Sequence, residues 1–281
     1  MNDIHVGETP SRHPRTASRR SNLYIAGDST ATTRSVDFLP MLGWGQVLPL
    51  FFSPDTTIVN CARGRASSKS FMERGRLQWI VDNLTPGDLV LVSLGTIDRL
   101  NEPGLHTTPF GDFQEILSAY VTQIRSAGGC PVLVTPHERR RVDSDGNLTW
   151  SLADYVLATH EVAEAELAPL VDLYGQSILW WQELGDQGTR EVFVYLRSGE
   201  PKLPWVQALD DGHLRAPGGL ECARYIARSL SEQGIVDPDQ VVDLHRTAFD
   251  TDELGWLDRA THDERIRSRV STPAQNFTGK D

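Results

Sequence analysis

The chain has 281 residues, of which 39% are hydrophobic and 23% charged, an ordinary globular balance with room for one large or two small domains. Its formal net charge of −11 argues against nucleic-acid binding, which needs a basic face. No run approaches the roughly 20 apolar residues that span a bilayer, and Cys61, Cys130 and Cys222 are too scattered to suggest a disulfide framework or a metal site.

Residues 1–21 are rich in Ser, Thr, Arg and Pro and read as a disordered tail. They contain no apolar stretch of the kind a secretory signal carries, so the expectation is a cytoplasmic protein with reduced thiols. From Leu23 onward, short apolar runs alternate with amphipathic stretches. The runs NLYIAG (22–27), TTIVNCA (56–62), GDLVLVSLG (87–95), CPVLVTP (130–136) and APLVDLY (168–174) have the length, β-branched content and turn-residue borders of buried strands.

Between the strands, helical spacing appears over Ser67–Leu84, Phe113–Ser126 and Leu152–Leu167. It is clearest over Pro217–Gln233, where Pro217 suits a first turn, Leu220, Ala223, Ile226, Ala227 and Leu230 share a face, and Gly234 stops the helix. Strand and helix in repeated alternation predict an α/β domain with a parallel central sheet covered by helices on both faces. Residues 236–281 are polar, with scattered apolar positions at Leu254, Trp256, Leu257 and Ile266. This extension is compatible with packing on the domain, with reaching a partner chain, or with partial disorder.

In open parallel sheets, ligands bind beyond the carboxyl ends of the strands. Three stretches should meet there: Gly27-Asp28-Ser29, the loop NCARGRASSKSF (60–71), and Gly95-Thr96-Ile97-Asp98. A serine nucleophile needs an imidazole to take its proton and a carboxylate to orient that imidazole. ALDDGHLRAPGG (208–219) offers His213 with Asp210 three residues before it, and Asp211 as a competing orienter. Each feature has a plainer reading. Asp28 and Ser29 also suit a helix cap or a turn, and His213 also suits a surface position ahead of a helix. His137 and the cluster Arg139-Arg140-Arg141 read as a solvated loop, with contact to an anionic substrate as the lesser alternative. Trp180 and Trp181 read as packing.

The order of the motifs carries more than any one of them. Gly27-Asp28-Ser29-Thr30, then Gly43-Trp44-Gly45-Gln46, then Asn60, Ala62 and Ser67-Ser68-Lys69-Ser70-Phe71 appear in sequence. Gly87-Asp88, Gly95 with Asp98, Pro131–Pro136, and Asp210 with His213-Leu214 follow. Over residues 23–235 the chain resembles the SGNH (GDSL-type) hydrolases, and among them the rhamnogalacturonan acetylesterase-like branch. The resemblance implies a three-layer α/β/α flavodoxin-like fold over residues 22–235. It also implies Ser29 as nucleophile, His213 as base and Asp210 as its orienter, with no cofactor and no metal. The implied activity is removal of an O-acyl group, acetyl above all, from a small polar or sugar-like molecule. The partner expected is a small-molecule substrate, with neither nucleic acid nor membrane, and a homo-oligomer is compatible with the sequence.

Two blocks depart from the family pattern. The third block reads Gly-x-Asn-Asp in the family, its Asn donating to the oxyanion; here Ile97 takes that place, and Thr96 stands where His is frequent. In the second block the oxyanion glycine falls five residues after Asn, which is Arg65 here, with Gly64 one place early. The oxyanion and substrate pocket is accordingly assigned to Asp28, Gly64, Arg65, Thr96, Ile97 and Asp98. A lost oxyanion donor costs about 100- to 1000-fold in turnover. The alternative is therefore a repurposed biosynthetic enzyme that carries out acyl transfer, cyclisation or another non-hydrolytic reaction on a small metabolite.

Overall fold

The computed structural model describes residues 22–145, 147–195, 200 and 209–268; the tail assigned to residues 1–21 lies outside them. Five parallel strands form the central sheet: β1 (Asn22–Gly27), β2 (Thr57–Asn60), β3 (Leu89–Ser93), β4 (Cys130–Val134) and β5 (Leu170–Val171), in the order β2-β1-β3-β4-β5. That 2-1-3-4-5 order is flavodoxin-like and puts its switch point between β1 and β3. The α/β class and the parallel sheet are as the alternation of runs predicts.

The strands alternate their side chains between two cores, as the period of two requires. Leu23, Ile25, Leu89, Leu91, Val132 and Val134 face one layer, while Tyr24, Ala26, Val90, Val92 and Leu133 face the other. The first layer is covered by α1 (Trp44–Val47), by α6 (Leu173–Val192) through Trp181 and Val192, and by α7 (Ala216–Glu232) through Cys222, Ala223, Ile226, Ala227 and Leu230. The second is covered by α2 (Ser68–Glu73), α3 (Arg76–Asn83), α4 (Gln114–Ser126) and α5 (Ala153–Ala165). Three layers result.

Several expectations need correction. The helix expected over Ser67–Leu84 is two, α2 and α3, because Gly75 takes φ +69° between them, a conformation that glycine adopts without strain. Trp180 and Trp181 do pack, but on α6, which the sequence reading left out and which is kinked at the non-helical Gly185. His137 and Arg140 are buried rather than solvated. The His137 ring meets Trp181 and Phe193, and Arg140 bonds Thr189 and Asp186. Arg139 pairs with Asp211. Two small antiparallel ribbons complete the fold: Arg141–Val142 with Leu148–Thr149, and β6 (Phe193–Tyr195) with β7 (Leu209–Leu214).

The polar extension packs on the domain. Ser53 N–H donates to Gln240 O, Val242 N–H to Phe51 O, and the Arg224 guanidinium to Leu244 O and Arg246 O. Helix α8 (Arg259–Ser268) ends the described chain. Cys61, Cys130 and Cys222 are free thiols. Among the described residues, no helix is long and apolar enough to cross a membrane, and no metal-ligating cluster is present.

Candidate active site

The position of Ser29 is set by the end of β1. After Gly27 the chain turns, and Asp28 Oδ1 accepts from the Thr30 N–H and hydroxyl, both at 2.8 Å. This tight turn presents Ser29 at the carboxyl edge of the sheet. The turn is packed from behind by the Gly43–Gln46 stretch. A Cβ on Gly43 would lie 2.3 Å from Thr32 O, and one on Gly45 would lie 2.5 Å from Ala31 O. Only glycine lets these backbones approach so closely. Asn60, at the end of β2, donates to Ala31 O at 2.7 Å and to Thr33 Oγ1 at 3.0 Å.

His213 arrives from outside the main sheet. β6 and β7 pair irregularly: Phe193 faces Leu214 while its neighbour Val194 faces Asp210. Residues 211–213 therefore bulge from the ribbon, and a bulge of this kind re-aims a side chain. His213 Nε2 lies 2.8 Å from Ser29 Oγ, and His213 Nδ1 lies 2.6 Å from Asp210 Oδ2. Asp210 Oδ1 accepts the backbone N–H groups of Gly212 and His213, both at 2.9 Å. Burial pushes the Asp210 carboxyl up, but the hydrogen bond and charge of His213 and those two N–H groups outweigh it and hold it well below the usual range. Asp211, the competing orienter, is taken up by Arg139 and Arg141.

The remaining assigned residues divide into two groups. Gly64, Arg65 and Ile97 line a cavity of about 570 Å³ that also contains Ser29 and His213. Asp28, Thr96 and Asp98 are buried and outside that lining. Asp98 ties the second block to the third: its carboxylate accepts the Ser68 N–H (3.0 Å) and hydroxyl (2.5 Å), the Gly95 N–H (3.1 Å) and the Thr107 hydroxyl (3.0 Å). Burial, opposed by the Ser68 and Thr107 bonds, raises its pKa from 3.8 to about 6. Burial also raises that of Asp28, against the hydrogen bonds of Thr30 and Thr96 and the charge of His213.

Arg65 has φ +57°, left-handed backbone that a non-glycine residue seldom adopts. The loop thus keeps a glycine-like conformation at the position where the family places glycine. The Arg65 guanidinium turns outward to Glu102 at 2.5 Å. Ile97 is nearly buried in the cavity wall and offers no donor.

The sequence reading missed Arg34. Its buried guanidinium donates to Ser29 O at 2.6 Å and stacks over Phe38. Burial lowers its pKa to about 10, against the charges of Asp210 and Asp28, so it is cationic at neutral pH. An arginine in the loop directly after a nucleophile motif was the one available signal. Glu138 was missed as well; it is buried and accepts from Ser151 and Leu152 at the start of α5.

A model of the GDSL-like lipase/acylhydrolase family matches residues 25–218. Rhamnogalacturonan acetylesterase RhgT of Bacillus subtilis (strain 168) is 32% identical over 222 residues, 78% of this chain and 94% of the relative. The probable rhamnogalacturonan acetylesterase YesY of the same strain is 30% identical, over 79% of this chain and 98% of the relative. The crystal structure of Bacillus subtilis YxiM superposes with a TM-score of 0.65 at 25% identity, over 77% of this chain and 58% of that one. An acetyl xylan esterase from Geobacillus stearothermophilus shares the fold, with a TM-score of 0.54 at 15% identity over 79% of this chain and 97% of that one.

Proposed function

We propose that this chain, which belongs to the GDSL-like lipase/acylhydrolase family, is a serine-dependent hydrolase that removes an O-acyl group, above all acetyl, from a small polar or sugar-like molecule. The observation that carries the reading is the unbroken relay from Ser29 Oγ through His213 to Asp210, at 2.8 and 2.6 Å. His213 Nε2 takes the Ser29 proton as Oγ attacks the ester carbonyl carbon. The tetrahedral oxyanion is held by the Ser29 N–H and by an N–H at Gly64 or Arg65, the left-handed backbone at Arg65 favouring the latter. Collapse expels the alcohol, which receives its proton from His213. Water then attacks the acyl-enzyme, gives its proton to His213, and releases the acid with Ser29 restored.

The similarity to RhgT and YesY, a rhamnogalacturonan acetylesterase and a probable one, supports acetyl removal. The cavity adds a preference. Its charged lining consists of Arg34, Arg63, Arg65 and Arg76, alongside His213 and His262, and among the described residues no Asp or Glu lines it. A substrate carrying a carboxylate or phosphate fits that lining.

A second reading rests on Ile97. Without an amide at that position the oxyanion loses a donor, and Ser29 and His213 would then serve acyl transfer to an acceptor other than water, or cyclisation. Turnover of 4-nitrophenyl acetate tests the first reading. Wild type should hydrolyse it, and Ser29→Ala and His213→Ala should each lose at least about 10⁴-fold in kcat. Wild-type inactivity, or activity that survives Ser29→Ala, contradicts it.

A further inference from the structure

The family model stops at residue 218, and RhgT and YesY are aligned over nearly their whole lengths by under four-fifths of this chain. Residues 236–268 lie past the family-model match. They nevertheless reach the loop that follows Ser29. Leu257 N–H donates to Arg34 O at 3.0 Å, and Val36 N–H donates to Leu257 O at 2.9 Å. Arg34 in turn donates its guanidinium to Ser29 O. Gln46 Nε2 donates to Leu254 O at 2.7 Å, Leu254 is buried in the core, and Trp256 Nε1 donates to Met41 O.

Beyond this clamp, Asp258 caps α8. Its carboxylate accepts the Thr261 N–H and hydroxyl, and its backbone carbonyl accepts the His262 N–H. The cap fixes His262, whose ring packs on Phe38 with centroids 5.8 Å apart. Leu257 and His262 both line the cavity that holds Ser29 and His213. The extension is therefore a built part of the site, held at both ends of its contact with the nucleophile loop.

We propose that residues 236–268 form a size-limiting wall of the active site, with Leu257 and His262 as its specificity-determining side chains. The wall confines the enzyme to esters of compact alcohols of about one to two rings, in keeping with a cavity of about 570 Å³, within the range of small-molecule sites. The inference rests on the serine-hydrolase reading above and names the substrate class of that site.

The test compares kcat/KM for compact 4-nitrophenyl acetate and bulky fluorescein diacetate. Full-length wild type is set against Leu257→Ala, His262→Ala and Leu257→Trp. The two truncations should raise the bulky-to-compact ratio about 10-fold, and Leu257→Trp should lower it about 10-fold, the discrimination that a methylene-sized change in a pocket supplies. Misfolding would depress both esters together and could not move the ratio in opposite directions. His262, on a partly exposed helix, is open to change without loss of the core. A ratio within about 2-fold of wild type in all three variants, with hydrolysis intact, overturns the wall. Failure of wild type to hydrolyse either ester overturns the hydrolase reading, and the wall with it.

Discussion

Asp210 does two jobs with two oxygens. Oδ2 orients the imidazole, while Oδ1 folds the bulge that carries it. Asp210→Asn keeps the shape but presents an amide where an acceptor is needed, favouring the wrong tautomer of His213. Turnover should fall on the order of 10⁴-fold with little change in KM, measured on 4-nitrophenyl acetate. Ile97 gives the opposite experiment. Ile97→Asn returns an amide to the cavity wall, and kcat should rise, by up to about 100-fold if the amide reaches the oxyanion. An unchanged kcat would mean that the hole is complete without it.

Asp98 has a pH signature. Its folded pKa of about 6 lies above its ordinary 3.8, so the native state binds the proton first as pH falls. Stability from this group rises as pH drops from about 6 to about 4, by up to about 3 kcal/mol. Asp210, depressed, acts in the other direction, its stabilisation being lost as pH falls below 3.8. The gap in urea midpoint between wild type and Asp98→Asn should therefore widen from pH 6.5 to pH 4.5. A gap that narrows would place the native Asp98 below its unfolded value. Ser29, Asp210 and His213 were legible as candidates because each sits in a short motif, GDST or DDGHL, and the two motifs fall in a recognisable order along the chain. Arg34 and Glu138 were not, because a lone arginine or glutamate in a loop is as readily solvated, and only the fold buries these two against backbone groups.

At the scale of elements, the Gly43–Gln46 stretch shows how a short helix can govern a nucleophile. Gly43 sits against the backbone of Ala31 and Thr32, and backbone cannot swing aside as a side chain can. Gly43→Ala should cost about 1–3 kcal/mol by overpacking and reduce kcat more than a destabilisation of that size explains, because the displaced loop carries Ser29. Thermal unfolding and kinetics on the same sample separate the two effects.

Strand runs such as LVLVS and helices with one clean apolar face were readable, since burial on one or both faces writes itself into the sequence. Helix α6 was not. It carries Gly175, Gly185 and Gly188, with Gly185 at φ +63°, and glycine reads as punctuation. The β7 segment LDDGHL was not assigned as a strand for a related reason: it is a strand with a bulge in it, and Asp-Asp-Gly is the chemistry of the bulge.

The whole molecule is acidic, yet its candidate site is lined by arginine and histidine. The local field, not the net charge, meets the substrate. An acetate ester bearing a carboxylate should be preferred over a neutral ester of equal size by about 10-fold in kcat/KM, and the preference should weaken with added salt. Equal rates would show that Glu102 and other pairings of these arginines cancel their pull. The extension also acts at this scale. Composition left its role open, since a largely polar segment with scattered apolar residues fits packing on the domain, a partner contact or partial disorder equally. Only the fold brings Leu257 and His262 back to Ser29 across more than 200 residues of sequence.

The central claim is that Ser29 is an activated nucleophile, and covalent trapping reaches it most directly. Full-length protein would be treated with a compact fluorophosphonate and analysed by intact-mass and peptide mass spectrometry. The account predicts one adduct, on Ser29, formed quickly in wild type and lost in His213→Ala. A folded wild type that stays unlabelled, or an adduct on Ser29 that forms as fast without His213, would contradict it.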